Sequence, residues 1–274
     1  MHRHSLISAS PTIPSLPPAL VIGHPGHELL VHGWLQQARP QVFVLTDGSG
    51  RTGQSRLDST TKILEQGGAG PGSIYGRFTD QAIYTAILNQ DLNLFIGLAQ
   101  ELAETFIRDQ IGYVVGDAAE SFNPTHDLCR LIINAAVRIV NRQSGKLITN
   151  FDFLLAGRPD TRPEALQAQA IRLQLDEKAF HLKLAAARNY PEMAREVDAA
   201  LSTVGADAFR FECLRPVDQC AGNGHLYGER PYYEQYGEQQ ITAGYYQRVI
   251  RYQEHMAPIA QSLSEYVSEV QARE

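Results

Sequence analysis

Apolar residues in this chain fall into short continuous runs separated by stretches with helical spacing. The runs at 19–23, 41–46 (Gln-Val-Phe-Val-Leu-Thr) and 111–115 (Ile-Gly-Tyr-Val-Val) have no polar alternation and stop at or beside glycine or aspartate. That is the pattern of strands buried on both faces. Residues 73–78, after the glycine-rich breaker 67–72, and 146–155 are further strand candidates. Between the runs, 28–37 carries Leu29, Leu30, Trp34 and Leu35, and 55–66 has helical spacing. One or two helices are expected between Asp80 and Asp109, and 126–142 repeats Leu128, Ile132, Ala136 and Val140 at four-residue steps. The alternation predicts parallel strands joined by right-handed crossovers, with strand ends gathered on one edge. The fold class expected is α/β, a Rossmann-like three-layer α/β/α arrangement with a mainly parallel sheet, plus C-terminal helices and loop.

The Ser-, Pro- and Thr-rich residues 1–18 read as a flexible leader that includes His2 and His4. Residues 19–160 read as the Rossmann-like core. Residues 161–274, mostly helical to 205 with a break at Tyr190-Pro191, a Gly-, Tyr- and Pro-rich loop over 217–237 and helix over 239–273, are expected to complete the same domain. A chain of 274 residues can bury a core without staples. Its net charge of -6 offers no basic footprint for nucleic acid. No run approaches the ~18 apolar residues of a membrane span. Cys129, Cys213 and Cys220 are scattered, which suits reduced thiols and a cytoplasmic setting. Neither nucleic acid nor membrane is therefore the expected partner, and the aromatic C-terminal segment is a candidate homo-oligomer contact.

Chemistry concentrates after the first strand, in Gly23-His24-Pro25-Gly26-His27-Glu28. Two imidazoles there, and a third from His126 after the 111–115 strand, would share the carboxyl edge of the sheet, where open α/β folds place ligands. Catalytic zinc commonly takes three protein ligands and keeps a fourth position open. The alternative is that His24 and His27 only finish a strand and start a helix.

These residues resemble the LmbE-like or PIG-L deacetylases, zinc-dependent de-N-acetylases of amino sugars and related amides. That family carries a strand followed by Ala-His-Pro-Asp-Asp-Glu, a strand ending in Thr-Asp-Gly, an Arg opening the next helix, an Asp in the following loop and a late His-Pro-Asp-His. Here the corresponding segments are 23–28, Thr46-Asp47-Gly48, Arg56, Phe78-Thr79-Asp80 and Asn123-Pro124-Thr125-His126, in the same order over 21–140. Residues 177–190 and 209–212 also look like the family's C-terminal part. The resemblance implies a Zn2+ site, or one for another divalent metal, at His24, His27 and His126, with His27 standing where the family has Asp. It implies substrate contacts from Arg56 and Asp80, whose plainer readings are a solvated helix charge and a helix N-cap. The activity implied is de-N-acylation of a small-molecule substrate, an amino sugar or sugar-like metabolite.

Two departures bear on that activity. The family's general base is Gly26 here, and the first His of its late motif is Asn123, which can donate a hydrogen bond but cannot act as an acid. Substitute carboxylates expected near the same edge are Glu28, Asp47, Asp117 and Asp127. Glu28 is expected at a helix N-terminus that favours its ionised form and weakens it as a base. Asp47, ending the strand beside the first, is placed best. The other reading is a non-hydrolytic relative that keeps a ligand or partner site. His225 and its neighbours Tyr227, Arg230, Tyr232, Tyr233 and Tyr236 are expected to lie in a loop that covers the site or packs on the body.

A dinucleotide site is the competing motif, since Gly48-Ser49-Gly50-Arg51-Thr52-Gly53 matches G-x-G-x-x-G after a strand. It expects an acidic residue about 20 positions on, and none lies between Glu65 and Asp80. No Gly-x-Ser-x-Gly elbow supports a serine hydrolase.

Overall fold

The computed structural model describes residues 12–161, 169–217 and 230–272. Its sheet has seven strands in the order β3-β2-β1-β4-β5-β7-β6. The strands are β1 (Pro18–Ile22), β2 (Gln41–Thr46), β3 (Gly70–Phe78), β4 (Tyr113–Asp117), β5 (Thr149–Phe153), β6 (Ile171–Gln174) and β7 (Phe211–Pro216). The first five are parallel, while β7 runs antiparallel to both β5 and β6. The three-layer α/β/α class expected from the alternation is the class observed.

Each apolar run splits between two cores, as two-sided burial requires. Ala19 and Val21 of β1 join Phe43 and Leu45 of β2 under α3 (Asp80–Leu88), α4 (Leu92–Arg108), α5 (Pro124–Gln143) and α9 (Ala257–Ala272). Leu20, Ile22, Val42 and Val44 face the other way, toward Trp34 and Leu35 of α1 (His32–Ala38) and Leu64 of α2 (Leu57–Gly67).

Several elements differ from the sequence expectation. The single helix expected over 28–37 is a 3-10 turn, His27–Val31, followed by α1. The glycines at 70 and 72, read as breakers, lie inside β3; a Cβ on Gly72 would come within 2.4 Å of the Phe43 ring, so that ring needs a glycine opposite it. The carboxyl-terminal third holds more than helix. Between α6 (Glu177–Arg188), α7 (Ala194–Val204) and the core, it supplies β6 and β7 to the sheet edge. Residues 232–237, expected in a loop, open α8 (Tyr232–Thr242). No helix of the described residues is long and apolar enough to cross a membrane.

Candidate metal and substrate site

β1 turns one way in the sheet, toward β2, and β4 lies on its other side. The crevice at their carboxyl ends is the topological switch point. β1 delivers His24 and His27 there, and the loop after β4 delivers His126 in the first turn of α5.

The three imidazoles gather. Ring centres of His24 and His27 are 5.4 Å apart, those of His24 and His126 5.0 Å, and those of His27 and His126 4.6 Å, all edge to face. Two of them are oriented from behind by carboxylates. His24 Nδ1 lies 3.0 Å from Asp80 Oδ1 and 2.8 Å from Thr46 Oγ1, and His27 Nδ1 lies 2.9 Å from Asp117 Oδ2. A carboxylate only accepts, so Nδ1 carries the proton in both rings and Nε2 is left with its lone pair. Nε2 of His24 is buried without a hydrogen-bond partner among the described residues. Burial first, then the charges His27 and His24 would carry, hold the His126 pKa well below its usual value and favour a neutral ring.

Among the described residues no three His, Cys, Asp or Glu side chains are arranged so that, as they stand, they could hold a metal ion. The spacing of the three rings is nonetheless compatible with one. Three imidazoles bound tetrahedrally to one ion at about 2.0–2.1 Å have ring centres about 5 Å apart, which is the spacing found. The orphaned Nε2 of His24 and the carboxylates behind two of the rings are what such a centre requires.

The other expected site residues have definite places. Asp80 is drawn into the histidine scaffold, its Oδ2 accepting from the Gly50 N–H at 2.6 Å. Burial raises its pKa, but the hydrogen bond and charge of His24, with Thr46 and Gly50, outweigh this and hold the carboxyl well below the usual range. The helix cap is Thr79, whose hydroxyl accepts from Ala82 N–H, and not Asp80. The Gly50 contact also removes an amide that a pyrophosphate would need. Arg56 closes the turn before α2: its N–H donates to Asp47 O at 2.8 Å, and its side chain crosses Gly48 beside Pro25. Its Nη2 lies 3.7 Å from Glu196.

The candidate bases are differently engaged. Glu28 is fully buried, accepting from Gly26 N–H at 2.7 Å and Thr60 Oγ1–H at 2.8 Å. Burial raises its pKa despite those bonds, the reverse of the helix-terminus effect expected from the sequence. Asp127 is fully buried and accepts from Glu120 and Ser121 N–H groups at 3.1 and 3.3 Å, which ties down the loop before α5. Asn123 caps α5, accepting from Thr125 N–H at 2.8 Å. Asp117 accepts from Gly23 N–H at 2.7 Å as well as from His27. Asp47 is half-buried at the end of β2, with Oδ1 accepting from Ser49 N–H at 2.9 Å. His225 lies outside the described residues.

One contact was not foreseeable. Gly26, where a carboxylate is expected from the resemblance, has φ of 103°, and a Cβ there would lie 1.9 Å from Met193 Sδ. Met193 comes from the 3-10 turn Pro191–Met193, far along the chain, and no sequence motif marks it.

No protein-family model matches the chain, and no curated protein sequence matches it. Several solved structures share its fold. The A40926 pseudoaglycone deacetylase superposes with a TM-score of 0.54 over 75% of this chain and 98% of its own, at 20% identity. A deacetylase of the teicoplanin biosynthesis pathway superposes with a TM-score of 0.50 over 73% and 97%, at 13% identity. At these identities the likeness is one of fold, and at that level it agrees with the LmbE-like resemblance.

Proposed function

We propose that this chain is a metal-dependent hydrolase that removes an acyl group from the nitrogen of an amino sugar or sugar-like metabolite. The observation that carries the reading is the set of three imidazoles at the switch point, with Nε2 of His24 buried and unpartnered. His24, His27 and His126 would hold the ion, and three neutral nitrogen donors with an open fourth position suit zinc. When bound there, a divalent ion supplies Lewis acidity toward an amide carbonyl and toward water.

The chain's own residues do the rest. Asp80 and Asp117 fix the tautomers of His24 and His27. Asp47, the candidate carboxylate that is neither fully buried nor bonded to a histidine in these contacts, takes the proton from water. Arg56, above Gly48 and beside Pro25, orients a substrate hydroxyl, and the amide of Asn123 donates to the developing oxyanion.

Metal analysis and acetate release from N-acetylated glycosides test the reading together. The wild type is expected to hold about one zinc, His24→Ala and His126→Ala to lose it, and Asp47→Asn to keep it while slowing acetate release about 10²- to 10⁴-fold. A purified protein that binds no divalent metal would sink the proposal. A second reading, ligand binding without hydrolysis, is favoured by Met193 standing where a base would project from residue 26. Bound metal with no acetate released from any glycoside selects it.

A further inference from the structure

The amino edge of the sheet, opposite the histidines, carries a cleft of about 630 Å³, within the roughly 300–1,000 Å³ of small-molecule sites. It opens where Pro18 starts β1, Gln41 starts β2 and Gly70 starts β3, with Ile111 just ahead of β4. Its walls are largely apolar. Pro17, Pro18, Pro40 and Pro71 present rings and have no N–H to offer, and Leu16 and Ile111 stand with them. Pro17 O and Pro40 O already accept, from Gly112 N–H at 2.8 Å and from Gly70 N–H at 3.4 Å. Leu16, 54% exposed, can lie there because residue 112 is glycine: a Cβ on Gly112 would come within 2.4 Å of Leu16 Cβ.

Two charged side chains line the cleft, Arg39 and Asp109, and they differ in what they have left to offer. Arg108 donates twice to Asp109, from Nε to Oδ1 at 2.8 Å and from Nη2 to Oδ2 at 2.9 Å. Arg108 first, and then the Gln41 amide against desolvation, hold the Asp109 carboxyl below its usual range. Arg39 is exposed, and among the described residues its guanidinium has neither a hydrogen bond nor an ion pair. Its backbone is unusual as well. Arg39 closes α1 with φ of 51° and its N–H on Leu35 O at 2.9 Å, a left-handed cap that glycine commonly fills. An arginine held in that conformation is strained, and strain of this kind collects at ligand sites. The unmatched charge in the cleft is therefore positive. Both α1 and α4 end here, and their carboxyl ends disfavour dense negative charge. One free guanidinium, with Asp109 in the same lining, thus suits a carboxylate whose two oxygens match its fork better than it suits a phosphate dianion.

We propose that this cleft is a second binding site, for a carboxylate with an apolar tail, the carboxylate on the Arg39 guanidinium and the tail along Leu16, Ile111 and the prolines. It goes beyond the hydrolase reading and does not rest on it. The test is calorimetric titration of the full chain with hexanoate, acetate, hexylammonium and hexyl phosphate, repeated after treatment with EDTA so that binding to any metal is separated from binding to the cleft. Hexanoate is expected to bind about 10-fold more tightly than acetate, the effect of four partly buried methylenes. EDTA should leave that affinity unchanged, and hexylammonium should not bind. Arg39→Gly relieves the left-handed strain, so the variant should melt no lower than the wild type. It should nonetheless bind hexanoate about 10-fold or more weakly, for want of the charge-assisted pair. Absence of hexanoate binding, equal affinities for hexanoate and acetate, binding that EDTA abolishes, or an affinity unchanged in Arg39→Gly each overturn the site. Tighter binding of hexylammonium or of hexyl phosphate than of hexanoate overturns its ligand class.

Discussion

Gly26 carries two constraints at once. Its φ of 103° lies in the left-handed region that glycine alone adopts freely, and the space its Cβ would fill holds Met193 Sδ. Placing at residue 26 the carboxylate that the LmbE-like resemblance implies, by Gly26→Asp, is therefore expected to destabilise the protein by about 2 kcal/mol or more, from backbone strain together with the steric conflict. Acetate release should not rise. Pairing it with Met193→Ala removes the conflict and leaves the strain, so the double variant should regain part of the lost denaturation midpoint. A single Gly26→Asp variant as stable as the wild type would contradict this account.

At the scale of elements, the site depends on how the 3-10 turn after β1 is held against the end of β4. Asp117 performs that task with one oxygen, which accepts from both Gly23 N–H and His27 Nδ1–H. Arg130 of α5 reinforces the same junction, donating to Asp117 O at 2.6 Å, Asn150 Oδ1 at 2.9 Å and Phe151 O at 3.2 Å. An uncharged amide at 117 keeps the backbone contact and loses the carboxylate behind the ring. Asp117→Asn should thus weaken zinc binding about 10- to 100-fold, read by competition with a chelating dye, with little change in fold. Unchanged affinity would mean that the helix and turn alone orient His27.

Across the whole molecule, the carboxyl-terminal third is joined to the amino-terminal core by a buried ion pair. Glu212 of β7 accepts from the N–H groups of Gly33 and Trp34 at the start of α1, and from Lys183 Nζ at 2.8 Å. Lys183 of α6 also donates to Leu30 O at 2.7 Å. Both side chains are almost fully buried. Lys183→Met leaves Glu212 charged without its cation, so a loss of ~3 kcal/mol is expected in urea unfolding. Replacing both by apolar residues would strip the two α1 N–H groups of their acceptor and should not restore stability.

The strands, their parallel order and the carboxyl-edge gathering of His24, His27 and His126 were legible in the sequence, because two-sided burial writes continuous apolar runs and short connections leave little choice of topology. β2 appears at the bounds its apolar run predicts, Gln41–Thr46. The strands β6 and β7 were not legible, being short, edge-lying and set in helical composition. Nor were the partners of the candidate acids, since Glu28 and Asp127 were expected as carboxylates near the sheet edge that could serve as a base, and in the fold they are fully buried acceptors. In the sequence, the LmbE-like resemblance implies a base where Gly26 stands. Only the tertiary structure gives the reason a carboxylate does not simply fit there: a backbone turned left-handed, and a methionine brought from 167 positions away to fill the space.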